Sequence, residues 1–276
     1  MLTVILPKIK NSVTTNLSRL CSCHLTVGYD IANVDARVRL PLAAQGKVTM
    51  IKISLIHPSR SRAVKAAEML KEWYSKCDIP QDIEYLIGLD ADDSTIPEYI
   101  KLWKDRPRFG RDTFQVGDTH NTVQVINNLA KSSVKESLLL VMCGDDHSCP
   151  EHWDTELLKV VADIDCMTQD MCIGVDDGIN QMTRFLISIM TRSYYNRLGY
   201  VLYPEYRFCR ADDDWMWGAI TRGILRTAPH LTFRHNHWSV SGNPIDETYK
   251  RIMNDDEMRY GWEVYQRRQA DNFGVK

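Results

Sequence analysis

The stretch "LLLVMCGDDHSCPEHWDTELL", Leu138 to Leu158, decides how the chain is read. Five apolar residues open it, and a short run of this kind reads as a buried strand. Beyond Gly144 come two adjacent carboxylates, Asp145 and Asp146. Side-by-side carboxylates repel one another, and burial at a strand end strips their hydration. Something must therefore offset that cost: a divalent metal, a basic residue or bulk water. Gly144 lets the backbone turn sharply before the pair. Hard carboxylate oxygens suit Mn²⁺ or Mg²⁺, which bind one or two carboxylates together with phosphate oxygens.

Upstream, strands and helices alternate. "IKISLI" (51–56) and "IEYLIGLD" (83–90) read as strands, the second ending in Asp90. "SRAVKAAEMLKEWYSKC" (61–77) places Ala63, Ala66, Ala67, Leu70 and Trp73 at helical spacing, and "NTVQVINNLAKS" (121–132) does the same with Val125, Ile126, Leu129 and Ala130. Downstream, "PEHWDTELLKVVADI" (150–164) reads as a helix with Pro150 in its first turn. "FLISIM" (185–190) and "LTFRHNHW" (231–238) read as strands. "RSYYNRLG", "DDDWMWGAITRG", "ETYKRIM" and "EMRYGWEVYQRRQ" read as helices. The alternation argues an α/β domain with a mainly parallel central sheet flanked by helices, in which ligands bind beyond the carboxyl ends of the strands.

Residues 1–49 differ from the rest, with six basic and two acidic residues and several Ser, Thr and Asn. They are expected to form a poorly structured N-terminal extension, with an organellar transit segment as the rival. Met50 would open a single domain over 50–276. The chain has 276 residues, a net charge of −2, 44% hydrophobic and 25% charged residues. That is an ordinary globular composition with no basic field for nucleic acid. No apolar run approaches the length of a membrane span. The eight cysteines form no CxxC pair and read as free buried thiols; "CSCH" (21–24) lacks a second ligand pair for zinc. The expected location is the cytoplasm, with peripheral membrane association as a variant.

Four constellations could carry chemistry. "GDDH" offers Asp145 and Asp146. "RHNHW" puts His235 and His237 two apart, on one face if the segment is a strand, where either could reach a shared metal or phosphate. "ADDDWMWGAITRG" starts a helix with Asp212, Asp213 and Asp214; one would cap it and another could act as a general base. "HPSRSR" follows the first strand with Pro58, Arg60 and Arg62, whose guanidinium groups suit phosphate.

In this order the pieces resemble the GT-A glycosyltransferases, especially the family 2 type, over roughly residues 50–240. "HPSR" is similar to the turn that lines their nucleotide site, which implies donor contacts from Pro58, Arg60 and Arg62. Asp90 stands where the family contacts the nucleoside base. "LLLVMCGDDHSCPEHWD" has the neighbourhood of the DXD motif, whose carboxylates hold the metal and donor diphosphate. Asp145 and Asp146 are implied there, the register between them open. The family's acidic pair before a glycine is matched by "ADDDWMWGAITRG", with Asp212 at the base position counting back from Gly223. Ala211 replaces the usual acidic partner, so the base stays open among Asp212, Asp213 and Asp214. His235 or His237 would complete the metal or diphosphate site.

The resemblance implies a metal-dependent glycosyltransferase of hexosyltransferase type. It would use Mn²⁺ or Mg²⁺ to move a sugar from a nucleotide-sugar donor, UDP-sugar favoured, to a hydroxyl of a glycan, lipid or protein, with inversion. Residues 50–150 would form the nucleotide-binding half and 151–276 the acceptor half. A nucleotidyltransferase of similar layout would want a glycine-rich, lysine-containing loop that "HPSRSR" lacks. A catalytically silent sugar-binding domain is the other alternative, hinted at by Ala211. "GDD" after an apolar run also fits the palm of viral RNA-dependent polymerases, but Pro150 and a helix-like run follow here instead of a second hairpin strand.

Overall fold

A computed structural model describes residues 3–4, 37–39, 50–119, 121–238, 242 and 245–275. The expectation for residues 1–49 therefore falls almost wholly outside the described residues, as do Cys21 and Cys23. Only β1 (Thr3–Val4) and β2 (Arg37–Arg39) are described there, as short strands pairing antiparallel.

The rest is a mixed α/β architecture. The strands are β3 (Ile53–Pro58), β4 (Ile83–Asp90), β5 (Arg111–Gly117), β6 (Leu139–Met142), β7 (Cys172–Asp176), β8 (Ile189–Thr191) and β9 (Leu225–Thr232). They join one sheet in the order β1-β2-β5-β4-β3-β6-β8-β7-β9. β5, β4, β3 and β6 run parallel, β8 is antiparallel to both neighbours, and β7 and β9 pair in parallel. The helices are α1 (Ala63–Ser75), α2 (Ile96–Lys104), α3 (Thr122–Ser132), α4 (Trp153–Val160), α5 (Arg192–Leu198), α6 (Ala211–Thr221), α7 (Glu247–Ile252) and α8 (Asp255–Ala270). Among the described residues no helix is long and apolar enough to cross a membrane.

The period-two geometry of strands divides the core into two layers. Ile53 and Leu55 of β3, Tyr85 and Ile87 of β4, and Leu139 and Val141 of β6 share one layer with Trp73 of α1 and Trp153 of α4. Ile56, Leu86 and Leu140 face the other, with Val125 and Leu129 of α3 and Trp215 of α6. Gly88 lets α3 lie close on β4, since a Cβ there would stand 2.7 Å from Val125 Cγ1. The described cysteines are free, and all but the half-buried Cys77 are buried, as expected.

Several expected elements change. β5, α2 and β7 went unread, because "RDTFQVG" mixes polar and apolar residues, α2 is short, and "CIGVD" carries a glycine. With β5 counted, the strand before Asp145 is the fourth from Met50. α4 starts at Trp153 rather than around Pro150: Lys76 takes the Cys149 carbonyl at 2.8 Å and the His152 amide donates to the Lys76 carbonyl at 2.8 Å. Those bonds pin residues 149–152 to the end of α1, and His152 adopts a left-handed φ of 61°. The last strand covers Leu225–Thr232, so His235 and His237 lie beyond it.

Trp73 and Trp153 tie the first layer to the site. Their rings meet edge to face at 5.0 Å, and Trp153 Nε1 donates to the Trp73 carbonyl at 2.8 Å. Trp73 Nε1 donates in turn to the His147 carbonyl at 2.8 Å. Both side chains are fully buried. Trp153→Ala is expected to lower unfolding free energy by about 3–5 kcal/mol in a denaturant titration, the cost of truncating a large buried aromatic.

Candidate active site

The strand order reverses between β3 and β6, whose carboxyl ends open the crevice where sheets of this kind take ligands. β3 ends in His57 and Pro58; β6 leads through Cys143 and Gly144 into Asp145 and Asp146.

The two carboxylates have different partners. Asp145 accepts from His57 Nε2 at 2.9 Å and from Ser59 Oγ at 2.6 Å. Behind them, Tyr85 hydroxyl bonds His57 Nδ1 at 2.7 Å and Tyr99 hydroxyl bonds Ser59 at 2.6 Å. Asp146 turns towards two histidines and Tyr249, which donates to its Oδ2 at 2.5 Å. His235 Nε2 stands 3.6 Å from the same oxygen. The nearest side-chain donor atoms of Asp146, His147 and His235 lie within 4.8 Å of one another.

Backbone pairing creates this convergence. The Asn236 amide donates to the Asp146 carbonyl at 2.8 Å, and the Ser148 amide to the Arg234 carbonyl at 2.9 Å. The chain after β9 is thereby stitched to the turn after β6, and the rings of His147 and His235 come to 4.8 Å between centroids. Gly144 leaves room for the pair: a Cβ there would stand 3.0 Å from His147 Nδ1 and 3.3 Å from Asp146 Oδ1, so either side chain would have to shift by a few tenths of an ångström.

The residues fit a divalent cation. Both ring nitrogens of His147 are buried without a hydrogen-bond partner, an expense that a ligating role would remove. Burial, with His235 nearby, pushes the His147 imidazole down to about 4, leaving it neutral at neutral pH, the form that ligates metals. Burial would raise the Asp146 carboxyl, but the contacts with His235, His147 and Tyr249 outweigh it and hold the group well below the usual carboxylate range. Two imidazoles and one carboxylate suit Mn²⁺ better than Mg²⁺, which prefers an all-oxygen shell. His237 sits beside this group, its ring 5.1 Å from His235 and 5.2 Å from Tyr249, without joining it.

The basic turn after β3 frames the site. Arg62, its side chain 9% exposed, aims Nη1 at Asp146 Oδ2 (3.7 Å) and Asp145 Oδ2 (3.9 Å). Its Nε and Nη2 bind the Asp246 carboxylate at 2.9 and 2.8 Å. Arg60 bonds Asp90 at 2.9 Å and also pairs with Asp92. Asp90 further accepts from Thr119 Oγ1 at 2.6 Å. Pro58 lies within β3, in register with Gly88 of β4.

The three aspartates at the start of α6 also divide. Asp214 is held by Arg268 Nε at 2.8 Å and by Tyr206 hydroxyl at 3.2 Å. Asp213 is forked by Arg184 at 2.9 and 2.9 Å and bound by Arg210 at 2.8 Å. Asp212 meets Arg184 Nη2 at 3.4 Å, and its side chain is 23% exposed. Desolvation, then the charge of Asp213, raises its carboxyl above the ordinary value despite Arg184. The N-cap position falls to Arg210, which makes no side-chain cap bond, and the three aspartates follow it inside the first turn. Asp177 links the two clusters: its carbonyl accepts the His235 amide at 2.9 Å, and its charge bears on Arg184.

The residues 57–62, 90, 145–146 and 235 are thus brought to one crevice. His147, His57, Ser59, Asp246 and Tyr249 were not picked out from the sequence. His147 was the fourth letter of the quoted "GDDH", and a histidine directly after a strand-end pair of carboxylates was its available signal.

No protein-family model matches the sequence, and no curated protein matches it. Solved structures do match the fold. The mannosyltransferase PcManGT from Pyrobaculum calidifontis, in complex with GDP-Man and Mn²⁺, superposes with a TM-score of 0.53 at 13% identity, covering 81% of this chain and 76% of that one. S. aureus TarS 1-349 in complex with UDP-GlcNAc gives 0.52 at 10% identity, over 76% of this chain and 69% of that one. The complex of TarS 1-349 with UDP gives 0.51 at 11% identity, over 66% and 59%. The chain has a GT-A-like glycosyltransferase fold.

Mn²⁺ binding followed by electron paramagnetic resonance checks the cluster. His147→Ala and Asp146→Ala are each expected to weaken Mn²⁺ by more than about a hundredfold, beyond the 10–100-fold typical of outer-shell changes, whereas Asp145→Asn falls within that range. Equal losses at Asp145 and Asp146 would contradict the division of roles.

Proposed function

We propose that the chain is a metal-dependent glycosyltransferase that moves a sugar from a nucleotide-diphosphate donor to an acceptor hydroxyl with inversion at the anomeric carbon. The observation that carries this reading is the convergence of Asp146, His147 and His235, with Arg62 alongside, at the switch point of a GT-A-like sheet. Neighbours in complex with UDP, UDP-GlcNAc and GDP-Man support a nucleotide-sugar donor. A uridine nucleotide is our first choice among them.

Asp146, His147 and His235 would hold Mn²⁺, which when bound supplies positive charge against the diphosphate. Arg62 Nη1 is aimed at the same place, where a fixed guanidinium stabilises charge developing on the leaving nucleoside diphosphate. Asp145 positions: bound by His57 and Ser59, it fixes the end of β3 against the turn after β6. Pro58, Arg60 and Asp90 would line the nucleoside side of the donor pocket. Asp212 is our choice of base. It is the least neutralised of the three aspartates, and its raised carboxyl suits proton abstraction from an acceptor hydroxyl. Asp213 and Asp214 are held by arginines and would shape the acceptor half.

Asp212→Asn is expected to lower kcat for sugar transfer by about 10²–10⁴-fold, the usual contribution of a general base, with donor KM little changed. The measurement is transfer from UDP-sugars to a panel of acceptors, with NMR of the product for anomeric configuration. Full activity in Asp212→Asn, or retention of configuration, would contradict the assignment.

A further inference from the structure

The short helix α7 and the residue before it lie against the proposed donor site. Asp246 takes Nε and Nη2 of Arg62 and accepts from Lys65 Nζ at 3.3 Å. Thr248 Oγ1 donates to the Arg60 carbonyl at 3.0 Å. Tyr249 donates to Asp146 Oδ2, lies 3.4 Å from His235 Nε2, and carries the Arg62 guanidinium over its ring at 4.6 Å. Arg251 stands 3.6 Å from Asp90.

Two of these contacts use groups that the donor and the cation would need. The Nε–Nη2 edge of a guanidinium is a fork that accepts carboxylate or phosphate alike. Asp246 has that edge. Asp146 Oδ2 is the oxygen that faces His235, and the Tyr249 hydroxyl has it. A diphosphate reaching Arg62 would also meet the like charge of Asp246, which adds to Asp145 and Asp146 around one arginine.

We propose that the segment 245–253 is a built-in competitor of donor and cation: Asp246 holds Arg62 against a diphosphate, and Tyr249 holds Asp146 against a divalent ion. This rests on the donor-site reading of Arg62 and Asp146. The packing of α7 and the binding of ligand are then mutually exclusive. The apparent affinity of the site is then its intrinsic affinity multiplied by the fraction of molecules in which α7 is unseated.

The test is calorimetry on the full chain, with Mn²⁺ alone and with inorganic pyrophosphate plus Mn²⁺. Asp246→Asn keeps a side-chain oxygen to cap α7 through the Tyr249 amide, a 3.0 Å bond in the native chain, so the helix start survives. It is expected to bind pyrophosphate about tenfold tighter, and Tyr249→Phe to bind Mn²⁺ about fivefold tighter, as the competing fraction is removed. Hydrogen exchange of the 245–253 amides should quicken when the wild type is saturated. Absence of either gain, or unchanged exchange, overturns the proposal; weaker pyrophosphate binding by Asp246→Asn would make Asp246 an orienting partner of Arg62 instead. If the gains appear and no sugar is transferred, the transferase reading falls and the competitor stands. If sugar is transferred and the gains are absent, the competitor falls alone. No binding by any form overturns both.

Discussion

Two backbone hydrogen bonds, from Asn236 to Asp146 and from Ser148 to Arg234, hold the site together. They join the turn after β6 to the chain after β9, segments some ninety residues apart in sequence. Without them His147 and His235 would have no reason to share a space. The Trp73 indole secures the same turn from beneath by donating to the His147 carbonyl, and Trp153 secures Trp73. The hydrophobic layer on that face of the sheet thus fixes the geometry of the polar cluster at the strand ends. Groups held this firmly by their surroundings need little reorganisation when charge develops nearby.

Charge compensation follows one pattern across the crevice. Most carboxylates meet a designated partner: Asp145 has His57 and Ser59, Asp213 has Arg184 and Arg210, Asp214 has Arg268, and Asp90 has Arg60. Buried charges are retained only when paired and hydrogen-bonded in this way. Asp146 and Asp212 depart from it. Asp146 has one strong bond, from a tyrosine hydroxyl, with two histidines close by and Arg62 Nη1 at 3.7 Å. Asp212 has one long contact to an arginine shared with its neighbour. In both, the nearest guanidinium stands at 3.4 Å or beyond, and these are the carboxylates proposed for metal and proton.

Much of this was legible in the sequence because it is local. The short apolar runs of β3, β4 and β6 and the helical spacing of α1 and α3 reveal a sheet flanked by helices, and "GDDH" and "HPSR" fall at its strand ends. Elements without such periodicity escaped, β5 and β7 among them. The division of labour between Asp145 and Asp146 was also hidden, since it depends on which face of a turn meets His57 and which meets His235. Asp246 and Tyr249 lie a hundred residues or more from Arg62 and Asp146, and "ETYKRIM", which holds Tyr249, reads only as a helix. Pairings of that range are set by tertiary packing, which no local pattern announces.

We propose that this crevice binds a nucleoside diphosphate through a divalent ion on Asp146, His147 and His235. Calorimetric titration of the full chain with UDP and with GDP, each with Mn²⁺ and with a chelator, tests it most directly. The account predicts saturable binding of at least one nucleotide that requires Mn²⁺ and disappears on chelation. Binding of neither, with Mn²⁺ present, would contradict it and leave the fold without the chemistry.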